Sequence, residues 1–405
     1  MHAVDWEQAR RLSRDAGQSL AVATAPPQLV PLAAATGRIL AQDLASLHSM
    51  PHYASSAMDG WVVAGPGPWH PEAATHPHAT AGTQPPPLAP GSARRIVTGE
   101  AIPAGATTVL RQEHAAVDLD RGLLCADPTP RDGADIRAAG REASAGDGLL
   151  RAGMRLTPGR IAVAAVGGHD HLPVAGPVRV RLVFTGDEVV TSGIPAPGQV
   201  RDAFGPVLPA CLDALGGTLV DAVRIGDDLQ ATLDALDSPA ARDVDVIVST
   251  GGTGHSAADH LRPAAAQLGA RTLVDSIAMR PGHPAMLARL PDGRLLVGLP
   301  GNPLAALMAV VTLLEPLLGA ATGQPPSSPA TARAGEGIRG AGHSHRLVPA
   351  SWADPAERQV LVPSEHTGSA MMRGLAHADA VLVVPPAGTP FGTEVGWLPL
   401  PWYGR

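Results

Sequence analysis

The stretch from Val246 to Gly254 reads VIVSTGGTG and determines the fold class. An apolar, β-branched run of this kind is typical of a buried parallel strand, and a glycine-rich turn ends it abruptly. Glycines at the carboxyl end of a strand let backbone N–H groups approach a phosphate or another anion. The same glycines also suit a plain strand-to-helix turn, because a sharp turn needs positive φ. The sequence alone leaves both interpretations open.

Three more segments repeat this pattern of an apolar strand followed by a polar turn. The predicted strands are 178–184, 218–225 and 294–298, and the turns after them are TGDE at 185–188, GDD at 226–228 and LPGNP at 299–303. The intervening helices have Asp202, Asp228 and Asp259 as expected N-caps. Asn302 and Pro303 suit the cap and first residue of a long apolar helix. This alternation predicts an open α/β sheet with all four turns at one edge, where such sheets bind ligands.

Acidic side chains are concentrated in these turns, although carboxylates repel an anion. They are Asp187, Glu188, Asp227, Asp228 and Asp259. A magnesium ion would resolve the conflict, because Mg²⁺ takes carboxylate, water and phosphate oxygens together. Some of these acids can instead be N-caps or solvated turn residues. We take Glu188, Asp228 and Asp259 as the candidate magnesium ligands.

Eight short motifs, in this order, resemble the molybdopterin molybdenumtransferase family. The likeness runs from about residue 5 to the C-terminus. The motifs are SAMDG at 56–60, IVTG at 96–99, IRAAGREASAG at 136–146, TGDE, GDD, the glycine turn with Asp259, RPGHP at 280–284 and LPGNP. No single motif is decisive, but eight in order identify the chain as a member.

The resemblance implies a reaction in which adenylylated molybdopterin and molybdate react with the help of Mg²⁺ and release AMP. It implies catalytic roles for Asp59, Thr98, Glu142, Glu188, Asp228 and Asp259. It implies molybdopterin binding by Arg137, Thr185, Gly186, Asp187, Gly251, Gly252, Thr253, Gly254, Arg280, His283, Pro300, Gly301, Asn302 and Pro303. It also implies a homodimer in which Asp59, Thr98, Arg137 and Glu142 of one subunit complete the site of the other. A molybdopterin adenylyltransferase and apo-molybdoenzymes are its implied protein partners.

Three motifs depart from the family pattern. The family's KPGKP loop reads RPGHP here, and the chain contains no lysine at all. Arg280 can still bind phosphate bidentately, whereas His283 changes charge near neutral pH, so oxyanion affinity would depend on pH. The acidic loop has Arg141-Glu142 in place of Glu-Asp, and GGTGHS replaces GGVSxG. A weakened paralogue that carries the cofactor, or an adenylyltransferase-like role, therefore stays open beside the insertase.

The length of the chain and the positions of its Pro- and Gly-rich stretches predict a multidomain α/β protein. The resemblance implies a discontinuous helical linking domain over 1–48 and 145–177, an inserted β-rich domain over 49–144, a central α/β domain with a mostly parallel sheet over 178–325, and a C-terminal β domain over 326–405.

Charge and hydropathy predict which partners the chain lacks. The net charge is −7 with no basic cluster, which argues against a nucleic-acid partner. No charged segment followed by an apolar one opens the chain, and Glu315-Pro316 interrupts the apolar run from Leu304 to Leu318. We expect a cytoplasmic protein that does not span a membrane.

Overall fold

The computed structural model describes residues 3–20, 25–72, 82–254, 256, 259–324 and 327–402. The chain divides into two compact units. The larger unit comprises residues 1–42, 152–157 and 172–405, and the smaller comprises 43–151 and 158–171. The four-domain division inferred from the sequence is finer than this, and its boundary at 325/326 falls outside the described residues. It stays a prediction.

The helices are α1 Trp6–Gln18, α2 Pro158–Val166, α3 Leu208–Ala214, α4 Leu229–Asp237, α5 Pro239–Arg242, α6 Leu261–Gln267, α7 Pro303–Ala321 and α8 Arg373–Ala376. Single 3₁₀ turns cover Leu32–Ala34 and Gln112–His114. All except α2 and the second 3₁₀ turn belong to the larger unit.

A six-stranded sheet forms the centre of the larger unit. Its strands are β1 Val178–Phe184, β2 Gly217–Arg224, β3 Val246–Thr250, β4 Arg271–Val274, β5 Met286–Arg289 and β6 Leu295–Leu299. Their order is β2-β1-β3-β6-β5-β4. The first four run parallel, as the sequence predicted, whereas β5 and β4 pair antiparallel. The sheet is therefore mixed.

Both faces of this sheet are buried, which explains the apolar runs at 182–184 in β1 and at 246–248 in β3. Leu182 points into the cluster that includes α7, and its neighbour Val183 points into the cluster that includes α4 and α6. An 18-residue stretch of α7 has a mean hydropathy of 2.0, which is apolar enough to cross a membrane, but 89% of this stretch is buried within the protein. A helix that is apolar on all sides suits such a core position.

Two predicted helix starts are confirmed. Asp228 is the N-cap of α4, and its Oδ1 accepts a hydrogen bond from the Ala231 N–H at 2.7 Å. Asn302 is the N-cap of α7, with Pro303 as the first helical residue. The Asn302 amide donates to Ser369 Oγ at 3.3 Å and does not bond the helix itself. At the carboxyl edge of the sheet, two of the turns therefore lead into helices whose first residues are well defined.

Two other predicted caps are wrong. The Asp202 carboxylate accepts from the N–H groups of Phe204 and Gly205, so it closes a turn that precedes α3. Asp259 accepts from the Ser256 N–H at 2.8 Å and lies one residue before the true N-cap position of α6. In both cases the carboxylate bonds backbone N–H groups in a turn before the helix begins.

Helix α1 docks on a π-helical turn, Val310–Leu314, in the middle of α7. The Trp6 indole N–H donates to Thr312 Oγ1 at 3.0 Å, and Ser13 Oγ donates to the Leu313 carbonyl at 2.6 Å. An Arg10 guanidinium N–H donates to the Val311 carbonyl. A π-turn interrupts the regular helical hydrogen bonding, and here side chains of α1 satisfy its carbonyls.

We expect Ser13→Ala to lower the free energy of unfolding by about 1–3 kcal/mol, because it leaves the buried Leu313 carbonyl without its side-chain donor. Ser13 is fully buried. Urea unfolding followed by circular dichroism measures the change. The exposed Ser192 is the matched control, and Ser192→Ala is expected to stay within about 0.5 kcal/mol. Equal stability of both variants would contradict the proposed role of Ser13.

The C-terminal part of the larger unit is a small β-barrel. Its strands are Ala330–Ala334, His345–Trp352, Val360–Pro363, Ala380–Val384 and Glu394–Pro399. The second strand pairs with both the third and the fourth, which closes the ring. Strands Val4–Asp5 and Ile277–Arg280 extend this sheet. Strand pairs outside it are Ile338–Arg339 with Gly388–Thr389, Val189–Val190 with Val200–Arg201, and Gln28–Pro31 with His171–Val174.

The smaller unit is β-rich. Its four-stranded sheet has the order His70–Pro71, Ser92–Ile96, Gly60–Val63, Thr108–Arg111. Further pairs are Ala115–Asp118 with Leu123–Ala126, Ser55–Ser56 with Ile136–Arg137, and Leu44–Ala45 with Gly148–Leu150. Trp61 and Trp69 belong to its apolar core.

Candidate active site

Turns from three strands are hydrogen-bonded to one another at the carboxyl edge of the parallel sheet. The Thr185 N–H and hydroxyl, which follow β1, donate to the Thr250 carbonyl at the end of β3, at 3.2 and 2.7 Å. The Gly251 N–H, which follows β3, donates to the carbonyl of Leu299 at the end of β6, at 2.9 Å. The TGDE, GGTG and LPGNP turns are thus one continuous structure.

Gly251 has a structural reason to be glycine. Its φ is +80°, and an added Cβ would lie 2.5 Å from Thr185 Oγ1. A larger residue would push these two turns apart. The next residues are Gly252, also at positive φ, and Thr253, which is buried. The geometry of the turn alone therefore explains these glycines. That the turn also binds an anion stays a prediction.

The GDD turn after β2 joins the same edge. The Asp187 N–H donates to Asp227 Oδ2 at 3.4 Å, and an added Cβ on Gly226 would lie 2.7 Å from Asp187 Oδ1. The TGDE and GDD turns are therefore in contact. His260 Nε2 lies 3.2 Å from the Asp227 carbonyl, and since a carbonyl only accepts, Nε2 carries the proton. Sequence reasoning missed His260, which is half-buried.

The three predicted magnesium ligands do not form a metal-binding cluster in the structure. Asp228 caps α4, Asp259 is bonded to Ser256, and Glu188 is exposed. Within the described ranges, no group of three or more His, Cys, Asp or Glu side chains could hold a metal ion. The assignment of Glu188, Asp228 and Asp259 stays a prediction.

Arg262 of α6 joins the glycine turn to the RPGHP loop. Its Nε donates to the Thr253 carbonyl at 3.1 Å, and its Nη2 donates to the Pro284 carbonyl at 3.1 Å. An ion pair with Asp275 holds the guanidinium in place. One arginine thus fixes two predicted ligand-binding turns, and it lay outside every motif that the sequence singled out.

The RPGHP loop fixes the tautomer of His283. Its Nδ1 lies 2.8 Å from the Ile277 carbonyl, and the Ile277 N–H donates back to the His283 carbonyl at 2.9 Å. Nδ1 therefore carries a proton, and Nε2 of the neutral ring is an acceptor. Only the protonated ring can donate to an oxyanion through Nε2. Arg280 at the start of the loop is exposed.

Two of the predicted catalytic residues meet in the smaller unit. The Thr98 N–H and hydroxyl both donate to Asp59 Oδ1, at 2.7 and 2.9 Å. These hydrogen bonds, the backbone bond first, hold the pKa of Asp59 below its ordinary value. Both side chains are exposed. The structure therefore presents an ionised carboxylate to solvent in a fixed position.

Position 60, the last residue of SAMDG, must be glycine because two backbone segments approach each other closely there. It has a φ of +154°, and an added Cβ would lie 2.1 Å from the Leu110 carbonyl oxygen. This crossing places the preceding residue, Asp59, beside Thr98.

Arg137 lies in a short strand and Glu142 in the loop that follows it, and both contact the segment at 50–56. Arg137 pairs across from Ser55, and the Glu142 N–H donates to the Met50 carbonyl at 2.8 Å. Both are exposed. All four predicted residues of the smaller unit, including Asp59 and Thr98, thus lie on segments that are hydrogen-bonded to residues 50–59.

Three family models match successive parts of the chain. The MoeA N-terminal region (domain I and II) matches residues 4–168, a probable molybdopterin binding domain matches 181–320, and the MoeA C-terminal region (domain IV) matches 331–400.

Relatives and solved structures agree with these matches. The molybdopterin molybdenumtransferase of Synechococcus elongatus is 32% identical, over 83% of this chain and 87% of the relative. Molybdopterin molybdenumtransferase 2 of Mycobacterium tuberculosis is 33% identical, over 74% and 76%. The structure of the molybdopterin biosynthesis moeA protein from Pyrococcus horikoshii OT3 shares the fold, with a TM-score of 0.77, 19% identity, and coverage of 98% of this chain and 99% of that one. The chain belongs to the molybdopterin molybdenumtransferase family.

Proposed function

We propose that this protein is a molybdopterin molybdenumtransferase, which inserts molybdate into adenylylated molybdopterin with release of AMP. The observation that carries the proposal is the hydrogen-bonded edge formed by the TGDE, GGTG and LPGNP turns. These turns bear the family's motifs and lie at the start of α7. A nucleotide-linked dithiolene and a tetrahedral oxyanion are both anionic, and such an edge favours negative charge.

Magnesium fits this edge as an ion shared with the substrate. Mg²⁺ keeps several waters and needs only one or two carboxylates plus phosphate oxygens, so the absence of a three-carboxylate cluster among the described residues is compatible with it. One or two of Glu188, Asp228 and Asp259 would hold the ion. When bound, it would neutralise charge on the pyrophosphate that links AMP to the pterin.

The proposed roles of the other residues rest on the family's motifs. The backbone of the TGDE and glycine turns would bind the pterin phosphate, and Arg280 and His283 would bind the oxyanion. In a proposed homodimer, Asp59, Thr98, Arg137 and Glu142 of one subunit would complete the site of the other. A carboxylate that Thr98 keeps ionised would orient polar groups of the substrate by accepting hydrogen bonds.

We expect His283→Lys, which restores the family's cation, to lower the molybdate concentration needed for AMP release about tenfold, because the ammonium adds one charge-assisted hydrogen bond to the oxyanion. AMP release measured against molybdate concentration for both proteins tests this. An equal molybdate requirement in the two proteins would contradict a role for residue 283 in binding the oxyanion.

The decisive assay uses purified protein, adenylylated molybdopterin and Mg²⁺, with and without molybdate. Molybdate-dependent AMP release, followed by activation of an apo-molybdoenzyme, supports the transferase. Tight pterin binding without AMP release indicates the alternative, a paralogue that carries the cofactor. ATP-dependent attachment of AMP to molybdopterin would indicate the adenylyltransferase-like role suggested by GGTG.

A further inference from the structure

We propose a second anion-binding site in the larger unit, in a cavity of about 300 Å³ beside α1 and the second half of α7. Its ligand class is a small organic anion in which one carboxylate or phosphate is joined to an apolar body. The residues that carry the proposal are Arg10, Arg11 and Arg14 of α1, Trp6, Pro316 and Ser327.

The three arginines of this cavity have different partners. Arg10 is buried and fully engaged, since it donates to Glu315 Oε2 at 2.8 Å and to Ser327 Oγ at 2.7 Å, so Glu315 compensates its charge. Arg11 Nη1 lies 3.8 Å from Glu7 Oε2, which is long for an ion pair, and about two thirds of each side chain is exposed. Such an exposed pair contributes little and separates easily.

Arg14 is the cation that lacks compensation. It is half-buried, and among the described residues neither a hydrogen bond nor an ion pair involves it. A guanidinium that is partly withdrawn from water gains most from a carboxylate or phosphate, which it can bind bidentately. Arg14 therefore sets the charge of the ligand.

The other residues that line the cavity determine the size of the ligand and its apolar part. Trp6, Pro316 and Pro329 supply the apolar part of the lining, and the Ser327 hydroxyl adds a polar group. The Glu7 carboxylate also lines the cavity, and Arg11 offsets its charge. A volume of about 300 Å³ is at the lower end of small-molecule pockets, so one anionic group and one ring-sized body fill it.

This cavity is separate from the proposed active site. Pro303 begins α7 at the turn edge, and Pro316 lies thirteen residues further along the same helix. At about 1.5 Å per residue the two are roughly 20 Å apart. A ligand here would not occupy the molybdopterin site.

Phenyl phosphate and benzoate are the probes for this site, with inorganic phosphate as the anion that lacks an apolar body. Modification of the full chain by phenylglyoxal, followed by peptide mass spectrometry, reports on Arg14 itself. We expect phenyl phosphate and benzoate to slow the modification of Arg14, and inorganic phosphate to slow it much less. Binding elsewhere, including at the turn edge, would leave Arg14 unprotected and would not be mistaken for this site.

Calorimetry with phenyl phosphate gives the second readout. Arg14→Gln is expected to weaken the binding event at this site about tenfold, and Arg14→Lys to weaken it less. Arg373→Gln removes the same charge from the exposed face of α8 and is expected to change nothing. Arg14 modified at the same rate with and without the probes would overturn the proposal. So would equal weakening by Arg373→Gln, or protection by an acidic peptide but by none of the small anions.

Discussion

Asp59→Asn is expected to lower molybdate-dependent AMP release about a hundredfold to a thousandfold while leaving the fold unchanged. The asparagine fits the same space and can still accept from Thr98, but it carries no charge. Asp59 is exposed, and its pKa lies below the ordinary value because the Thr98 N–H and hydroxyl stabilise the carboxylate. We therefore propose that Asp59 acts in the reaction as an anion and not as a proton donor.

The matched variant is Thr98→Val, which removes the hydroxyl and keeps the backbone N–H. One of two hydrogen bonds to Asp59 is lost, so we expect a smaller fall, about tenfold. AMP release and circular dichroism are measured on both variants. Full activity of Asp59→Asn would remove Asp59 from the site. Equal losses in both variants would mean that the reaction needs the Thr98 hydroxyl as much as the charge of Asp59.

The parallel half of the fold could be predicted from sequence because each signal is local. Val178–Phe184 is apolar except for Arg179 and Arg181, it is largely buried, and the observed strand has the predicted bounds. Asn302-Pro303 fixes the start of α7 through the backbone preferences of those two residues. Where a residue's own conformational preference decides the structure, one sequence is enough.

The antiparallel strands and the bridging side chains could not be predicted in this way. The direction in which β5 pairs with β6 depends on the path of the chain between them and leaves no local pattern. Arg262 and His260 acquire their roles from carbonyls of Thr253, Pro284 and Asp227, which the fold brings close. Nothing in the flanking residues marks either side chain.

The misplaced caps have a related cause. An aspartate upstream of a helix can bond the helix N–H groups or those of a preceding turn, and both satisfy it. Asp202 and Asp259 take the turn, whereas Asp228 takes the helix. Because capping already explains Asp228, its proposed part in binding magnesium needs a test that separates the two roles.

Asp228→Asn makes that separation, because asparagine caps a helix about as well as aspartate does. We expect its thermal stability to match the parent, while Mg²⁺-dependent AMP release falls about a hundredfold or more, the equivalent of roughly 3 kcal/mol of lost charge stabilisation. Raising the Mg²⁺ concentration should recover part of the activity.

Asp228→Ala removes the cap as well as the charge, so it should lose the same activity and, in addition, about 0.5–2 kcal/mol of stability. Urea unfolding and AMP release measured on both variants distinguish the roles. If Asp228→Asn keeps full activity and only Asp228→Ala is impaired, the carboxylate serves α4 alone. The magnesium would then have to be held by Glu188, Asp259 and the substrate, and the GDD turn would contribute only the position of its backbone.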